Sequence, residues 1–292
     1  VNELQADVLL SVTVLRPEEK LLGAALRQRG VQVATILPPD LGAIVRGGAV
    51  ARLGLIRNLS HQQAVTTARL LEHLGVDVLN RTSAIEACGD KGIQALMFSR
   101  HGVPHPESHL AFSFDQVREA VAAFGWPSVV KPVSGSWGRG VTRMVNAECV
   151  DAWIGGRESA DAAGKLFPVL VQEYIDKPGH DLRVVVVGTE PVAAIRRVSE
   201  DWRTNTTLGA DVERVDVNGE MAELCRRVTD ILGAGFYGVD LVEDRAVGEL
   251  KVLEVNANPE FAKSSLVHGV DIAAAVADHV TAKLAASLPS AP

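Results

Sequence analysis

The stretch Leu253-Glu254-Val255-Asn256-Ala257-Asn258-Pro259, read with Val239-Asp240-Leu241 upstream, decides what kind of fold this chain of 292 residues adopts. Each run sets polar residues at alternate positions in an apolar frame. Alternate residues of a strand share a face, so Glu254 and Asn256 point together, and Asp240 from a neighbouring strand can join them. Acid and amide oxygens converging on an apolar sheet form a hard-cation site suited to Mg2+ bridging nucleotide phosphates. A salt-bridged sheet edge shows the same pattern, and these residues alone leave both readings open.

Around this pair lie strand runs at Val169 to Tyr174, Leu182 to Val187 and Val192 to Val198. The patterning also predicts a helix over Gly219 to Leu232, strands over Tyr237 to Val242 and Lys251 to Val255, and an Ala-rich helix over Val270 to Ala286. Residues 169–292 read as a C-terminal module. At the other end, the apolar run Asp7 to Leu15 meets Arg16-Pro17-Glu18-Glu19, where proline and two acids in the first turn suit a helix start. Strands at Val31 to Ile36, Leu53 to Arg57 and Val76 to Leu79, with a helix over Ser60 to Leu74, continue the alternation. It predicts a parallel sheet flanked by helices over residues 1–80.

Asn80-Arg81-Thr82-Ser83 breaks that alternation, and Asp90-Lys91 opens an amphipathic segment ending at His101-Gly102-Val103-Pro104. Residues 81–168 form a central module with strands at Ser108 to Phe112, Val129 to Pro132 and Val141 to Val145. Helices are predicted over Asp115 to Phe124 and Ala147 to Ile154, with a loop over Gly155 to Gly164. The fold class is α/β.

Hydrophobic residues at 47% and charged residues at 22% place the chain among ordinary soluble globular proteins. A formal net charge of -7 argues against nucleic acid as the main partner, because that role needs a positive field to displace counterions. Cys88, Cys149 and Cys225 share no metal or disulfide spacing and suit a reducing cytosol. No apolar run of about 20 residues predicts a membrane span. The histidines form no nucleophilic or metal-ligand constellation.

Three further segments carry chemistry. Lys131-Pro132-Val133-Ser134-Gly135-Ser136-Trp137-Gly138-Arg139-Gly140 is a lysine ending an apolar strand and entering a glycine-rich loop. The backbone N–H groups of such a loop can converge on phosphate oxygens. It is neither a Walker loop nor a dinucleotide fingerprint, and a flexible hairpin describes it too. In Val171-Gln172-Glu173-Tyr174-Ile175, an exposed peptide can bond an adenine edge while Tyr174 and Ile175 give apolar surface; a strand followed by a turn is the plainer alternative. Arg183, Arg196, Arg197 and Arg203 make a local anion site credible in an acidic chain. Strand alternation separates Arg196 from Arg197, so at least one can face a cleft, and a solvated charged face remains the other reading.

In this order, Lys91, Lys131 with its glycine loop, the Gln172-Glu173-Tyr174-Ile175 hinge, Asp181-Leu182-Arg183, Trp202-Arg203-Thr204-Asn205, Asp240 and Glu254-Val255-Asn256 resemble the ATP-grasp carboxylate-amine ligases. The RimK/LysX branch is the nearest in pattern, particularly the amino-group carrier protein ligases of lysine and arginine biosynthesis. Asn80-Arg81, Ile85-Glu86-Ala87-Cys88-Gly89-Asp90-Lys91 and Lys177-Pro178-Gly179 resemble that subgroup in particular.

The resemblance implies an ATP-grasp fold: an N-terminal parallel-sheet domain followed by two domains clasping ATP. It implies that Lys91, Lys131 and the loop residues Ser134, Gly135, Ser136, Trp137 and Gly138 contact phosphates, that Gln172, Glu173, Tyr174 and Ile175 hold the base, and that Asp181 holds the ribose. Asp240, Glu254 and Asn256 would bind two Mg2+ ions, while Arg183, Arg203 and Asn205 would steady the transferring phosphate and an acyl phosphate.

For the acceptor, the resemblance implies a small acidic carrier protein with a C-terminal glutamate. Its side-chain carboxylate would be joined to the α-amino group of glutamate, α-aminoadipate or a related amino acid. Arg196, Arg197, Asn258, Glu260, Phe261, Lys263 and Ser264 would bind these substrates. After Glu260-Phe261 the chain has Ala262-Lys263-Ser264-Ser265, where the α-aminoadipate ligases carry a Lys-Asn-Ser pattern, so the side chain of the amino acid stays open. A cytoplasmic homodimer or homotetramer is the implied setting. The alternatives are a RimK-type glutamate ligase acting on a ribosomal protein or small cofactor, and a non-catalytic nucleotide-binding regulator. Retention of Lys91, Lys131, Asp240, Glu254 and Asn256 speaks against lost catalysis.

Overall fold

A computed structural model describes residues 6–47, 51–135, 138–158, 166–199, 201–204 and 211–286. The N-terminal elements are β1 (Ala6–Val12), α1 (Pro17–Gln28), β2 (Val33–Ile36), α2 (Leu41–Gly47), β3 (Ala51–Arg57), α3 (His61–His73) and β4 (Asp77–Leu79). The strands pair in parallel in the order β2-β1-β3-β4, as the alternation predicts. Strand periodicity splits the side chains between two cores: Val8, Leu10 and Val12 pack towards α1, whereas Leu9 joins Ile56, Ala68 and Leu71 on the other face.

The central elements are α4 (Thr82–Cys88), α5 (Lys91–Arg100), β5 (Ser108–Ala111), α6 (Phe114–Phe124), β6 (Ser128–Pro132), β7 (Thr142–Met144), α7 (Ala147–Glu158) and β8 (Val169–Glu173). An antiparallel sheet forms in the order β5-β8-β6-β7. Two differences from the sequence pattern have physical causes. Val169–Glu173, the run at the head of residues 169–292, is hydrogen-bonded between β5 and β6 in the central sheet, a long-range pairing that local periodicity cannot reveal. The loop reading of Gly155 to Gly164 is corrected at its start, because α7 continues through Gly155 and Gly156 to Glu158; residues 159–165 lie outside the described residues.

The remaining elements are β9 (His180–Gly188), β10 (Glu190–Val198), β11 (Asp211–Val215), α8 (Gly219–Leu232), β12 (Gly235–Asp244), β13 (Glu249–Asn256), α9 (Ala262–His268) and α10 (Ile272–Ala286). Their antiparallel sheet runs β11-β10-β9-β12-β13. Leu182, Val184 and Val186 face α8 in a core that α4 and α5 extend with Ala84, Ala87 and Phe98. Val185 and Val187 face the other way, into a core shared with α10 and with β1 and β3 of the N-terminal sheet.

Asn80, at the end of β4, ties these layers together. It is 2% exposed, and its amide nitrogen donates to the carbonyls of Phe236 at 2.8 Å and Ala257 at 2.9 Å while its Oδ1 accepts from the Phe236 N–H at 2.6 Å. Replacing Asn80 by Ala strands a buried N–H, so we expect Asn80→Ala to lower unfolding free energy by about 1–3 kcal/mol, the range for a buried polar group left unsatisfied. Urea unfolding checks this, with an unchanged slope and a lower midpoint as the expected result.

Candidate active site

Lys131 sits at the end of β6, where the edge of the central sheet meets the C-terminal sheet. Its Nζ donates to Gln172 Oε1 at 2.7 Å, and Gln172 Nε2 in turn donates to Ser108 Oγ at 2.7 Å, so two neighbouring strands aim the ammonium. Burial pushes the Lys131 ammonium down to about 8; Glu254 partly offsets this, and Lys91 adds to it. Lys91 opens α5, whose first turn is capped by Asp90 accepting from Gly92 and Ile93 at 2.8 and 3.0 Å. The Lys91 N–H donates to the Val133 carbonyl at 2.8 Å and its Nζ to the Gly135 carbonyl at 2.7 Å, with Glu254 3.4 Å away. One lysine thereby joins the glycine loop to β13.

On the C-terminal sheet, register does the placing. Asp240 of β12 lies directly across from Arg183 of β9 on one side and Glu254 of β13 on the other. Arg183 donates to both Asp240 oxygens at 2.7 Å. Arg197 approaches Asp240 at 3.2 Å and also donates to both oxygens of Asp181, at 2.6 and 2.8 Å. Burial alone would push the Asp240 carboxyl up, but Arg183 and Arg197 outweigh it and hold the group below the usual carboxylate range. Gly238 makes room for this row: a Cβ there would lie 3.0 Å from Pro259 and 3.7 Å from Arg183 Nε.

These residues line an open cleft with about 960 Å³ of empty space, open solvent included. Lys91, Lys131, Gly135, Gly138 and Gln172 line one wall. Glu173, Tyr174 and Ile175 line the hinge, and Asp181, Arg197, Arg203, Asp240 and Glu254 the opposite wall. Ser134, Arg183, Asn256, Asn258 and Glu260 face an adjoining hollow towards the N-terminal sheet. Lys263 and Ser264 line a third, under α9.

Some implied site residues stand elsewhere or are already engaged. Arg196 is corrected as a cleft residue: alternation turns it to the other side from Arg197, where it pairs with Glu213 at 3.6 Å. Phe261 is corrected as a substrate contact, being fully buried edge-on to Phe236 with ring centroids 5.6 Å apart. Both Asp181 oxygens accept bonds from Arg197, and Thr204 donates to one of them, so this carboxylate is committed inside the protein. Arg203 pairs with Asp201 at 3.2 Å beside Trp202. The fourfold arginine mouth thus reduces to Arg183 and Arg197, with Arg203 at the rim. Ser136, Trp137 and Asn205 lie outside the described residues.

The sequence reading gave no site role to Ser108, which orients Gln172, or to Lys177, whose motif was noted and whose Nζ donates to Thr204 Oγ1 at 2.8 Å. It also passed over Arg16 and Asn58, which reach the adjoining hollow. The signal for the last two was present: both follow strands of a parallel sheet, whose carboxyl ends carry sites.

The oxygen donors fit Mg2+ in its usual protein setting, where one or two carboxylates act together with substrate phosphates. Glu254 and Asn256 project from one face of β13, and the Asn256 amide carries a buried nitrogen with no partner among the described residues, a place an oxygen takes on turning the amide. No group of three His, Cys, Asp or Glu residues gathers around a metal-sized point among the described residues. Asp240 is shared with two guanidiniums, so phosphate oxygens must complete any coordination shell.

Residues 88–280 match the model of the RimK-like ATP-grasp domain, and residues 8–87 that of the LysX preATP-grasp domain. The chain belongs to the RimK-like ATP-grasp family. Among its relatives, the alpha-aminoadipate–LysW ligase LysX of Saccharolobus solfataricus is 34% identical over 261 residues, covering 88% of this chain and 94% of that one. The glutamate–LysW ligase ArgX of Sulfolobus acidocaldarius is 31% identical over 278 residues, covering 94% and 97%. The crystal structure of a RimK domain ATP-grasp protein from Sphaerobacter thermophilus superposes with a TM-score of 0.77 at 24% identity, covering 94% and 99%, and supports the ATP-grasp fold.

In this cleft Lys131 can attract an anion only while it is protonated. Because its pKa is lowered to about 8, ADP affinity should fall as pH rises through about 8, and ADP binding near that pH should take up protons. Calorimetry in buffers of different ionisation heat checks both. Lys131→Met should bind ADP more weakly, with a flatter profile over the same range.

Proposed function

We propose that this protein is an ATP-dependent acid–amino acid ligase that joins the α-amino group of glutamate, α-aminoadipate or a related amino acid to a carrier protein. The bond would form at the side-chain carboxylate of a C-terminal glutamate on a small acidic carrier. The observation that carries the reading is the meeting of Lys91, Lys131, Arg183, Arg197 and Glu254 around linked hollows. Similarity to two LysW ligases over most of the chain supports it.

The chemistry follows from charge. A carboxylate is a poor electrophile, so its oxygen attacks the γ-phosphorus of ATP, the bond to ADP breaks, and an acyl phosphate forms. The amine then attacks the acyl carbon, the bond to phosphate oxygen breaks, and amide, phosphate and a proton leave. Lys91 and Lys131 hold phosphate oxygens in place, and Arg183 and Arg197 offset charge that builds on the transferring group. Glu254 and Asn256, with Asp240 beside them, would hold a pair of Mg2+ ions. When bound, Mg2+ neutralises phosphate charge and polarises the phosphorus.

The test is intact mass of candidate acidic carriers incubated with ATP, Mg2+ and a panel of amino acids. The expected result is a single addition of one amino-acid residue with one ADP formed. ADP formation that needs the carrier but leaves its mass unchanged would contradict the reading, and serial additions of glutamate would favour the RimK-type alternative.

A further inference from the structure

The hairpin that carries Glu254 also grips the chain where the central sheet passes into the C-terminal one. That passage runs from Glu173, the last residue of β8, through Tyr174, Ile175, Asp176 and Lys177 to β9. On its upstream side Glu173 Oε1 accepts from two bodies at once, the Glu107 N–H ahead of β5 at 2.9 Å and Lys251 Nζ of β13 at 2.9 Å. The Glu173 N–H returns a bond to the Glu107 carbonyl at 2.9 Å. On the downstream side, in the turn between β12 and β13, the Arg245 N–H donates to the Asp176 carbonyl at 3.1 Å and its guanidinium to the Lys177 carbonyl at 3.3 Å. The passage is therefore strapped at both ends to one hairpin.

Lys251 is aimed by that hairpin. It also pairs with Asp244 at 3.1 Å. Asp244 is itself fixed by the turn it begins, where its Oδ1 accepts from the Ala246 N–H at 3.0 Å and its carbonyl from the Gly248 N–H at 2.7 Å. Leu253 lies two residues further along β13, on the face that Lys251 shares, and Val242 of β12 lies across from Lys251. With Val129, Val141 and Ile175, these two line the apolar part of the cleft. One hairpin thus supplies a wall of this slot and the cation that ties down the peptide at its edge.

We propose that Lys251 is a positioning residue for nucleobase selectivity. Through Glu173 it holds the peptide of residues 173–175 in register with the slot walls, so that the hydrogen-bonding groups of this peptide meet the edge of an adenine. Contact with apolar walls is non-directional and accepts any purine. Hydrogen bonds to a base edge weaken steeply with misalignment, so they alone depend on this register. Losing the ammonium therefore costs selectivity before it costs binding. The pair stands near enough to solvent, at 18% and 31% exposure, to add little to overall stability.

The inference rests on the nucleotide part of the ligase reading and is independent of the carrier and the amino acid. Titration calorimetry of the whole protein with ADP and with inosine diphosphate, which has a 6-oxo in place of the 6-amino group, tests it. The native protein should bind ADP about tenfold more tightly, the discrimination of one mismatched hydrogen bond at the base edge. Lys251→Met should cut this preference to about threefold or less, chiefly by weakening ADP, and Lys251→Arg should restore it. Glu173→Gln should cut it to a similar degree, and adding Lys251→Met to Glu173→Gln should then change little, as expected if the two act as one pair. Equal weakening of both nucleotides by Lys251→Met, or no change in either, would overturn the inference, as would a native protein that binds the two nucleotides alike. A lower urea midpoint for Lys251→Met with the preference intact would reduce the residue to a fold contact and also overturn it. Carriers left unmodified by a protein that passes these tests would contradict the ligase reading and leave this inference standing.

Discussion

Asp240 is a carboxylate 2% exposed to solvent with two guanidiniums within hydrogen-bonding reach, and the site is arranged around that contact. A buried carboxylate is stable as an anion only if cations compensate the lost hydration. Antiparallel register supplies them, putting Arg183 directly across from Asp240 and bringing Arg197 in from β10. Removing either partner from a buried pair typically costs about 3–5 kcal/mol, so neither arginine is free to drift. Fixing the arginines also fixes their remaining nitrogens beside the hollows that adjoin the Lys131 cleft.

That arrangement divides the chemistry by position along a row of side chains. Asp240 is balanced by its arginines, which leaves Glu254, facing Lys91, as the carboxylate nearer to solvent. Cation-binding and anion-binding groups then alternate across a few strands. A triphosphate with its metal and a carboxylate can share such a site without a large net field. Lys131 comes from the central sheet and Lys91 from the start of α5, so the site exists only while these elements stay in place against the C-terminal sheet. Lys91 joins the glycine loop to that sheet directly through Gly135 and Glu254.

The fold was legible wherever periodicity is local. The strand-helix alternation of the first 80 residues follows from short apolar runs and helix-start residues, and the pairing of Glu254 with Asn256 and the separation of Arg196 from Arg197 follow from a two-residue repeat. What was illegible depends on contacts between residues far apart in the chain. β8 belongs to the central sheet because it pairs with Ser108 and Val129, and Phe261 is a core residue because Phe236 meets it, neither of which a window of sequence contains. Asp181 looked free because its partners, Arg197 and Thr204, are 16 and 23 residues away. Arg16 and Asn58 of the adjoining hollow carry no motif of their own. Only the strand order makes them neighbours.

The proposed reaction turns on the acyl phosphate. The most direct measurement is to label the acceptor's side-chain carboxylate with oxygen-18 and follow the label into products by mass spectrometry. Attack of that carboxylate on the γ-phosphorus predicts inorganic phosphate carrying one labelled oxygen for each amide formed, with ADP unlabelled. Label appearing in AMP, or phosphate released without label, would contradict it.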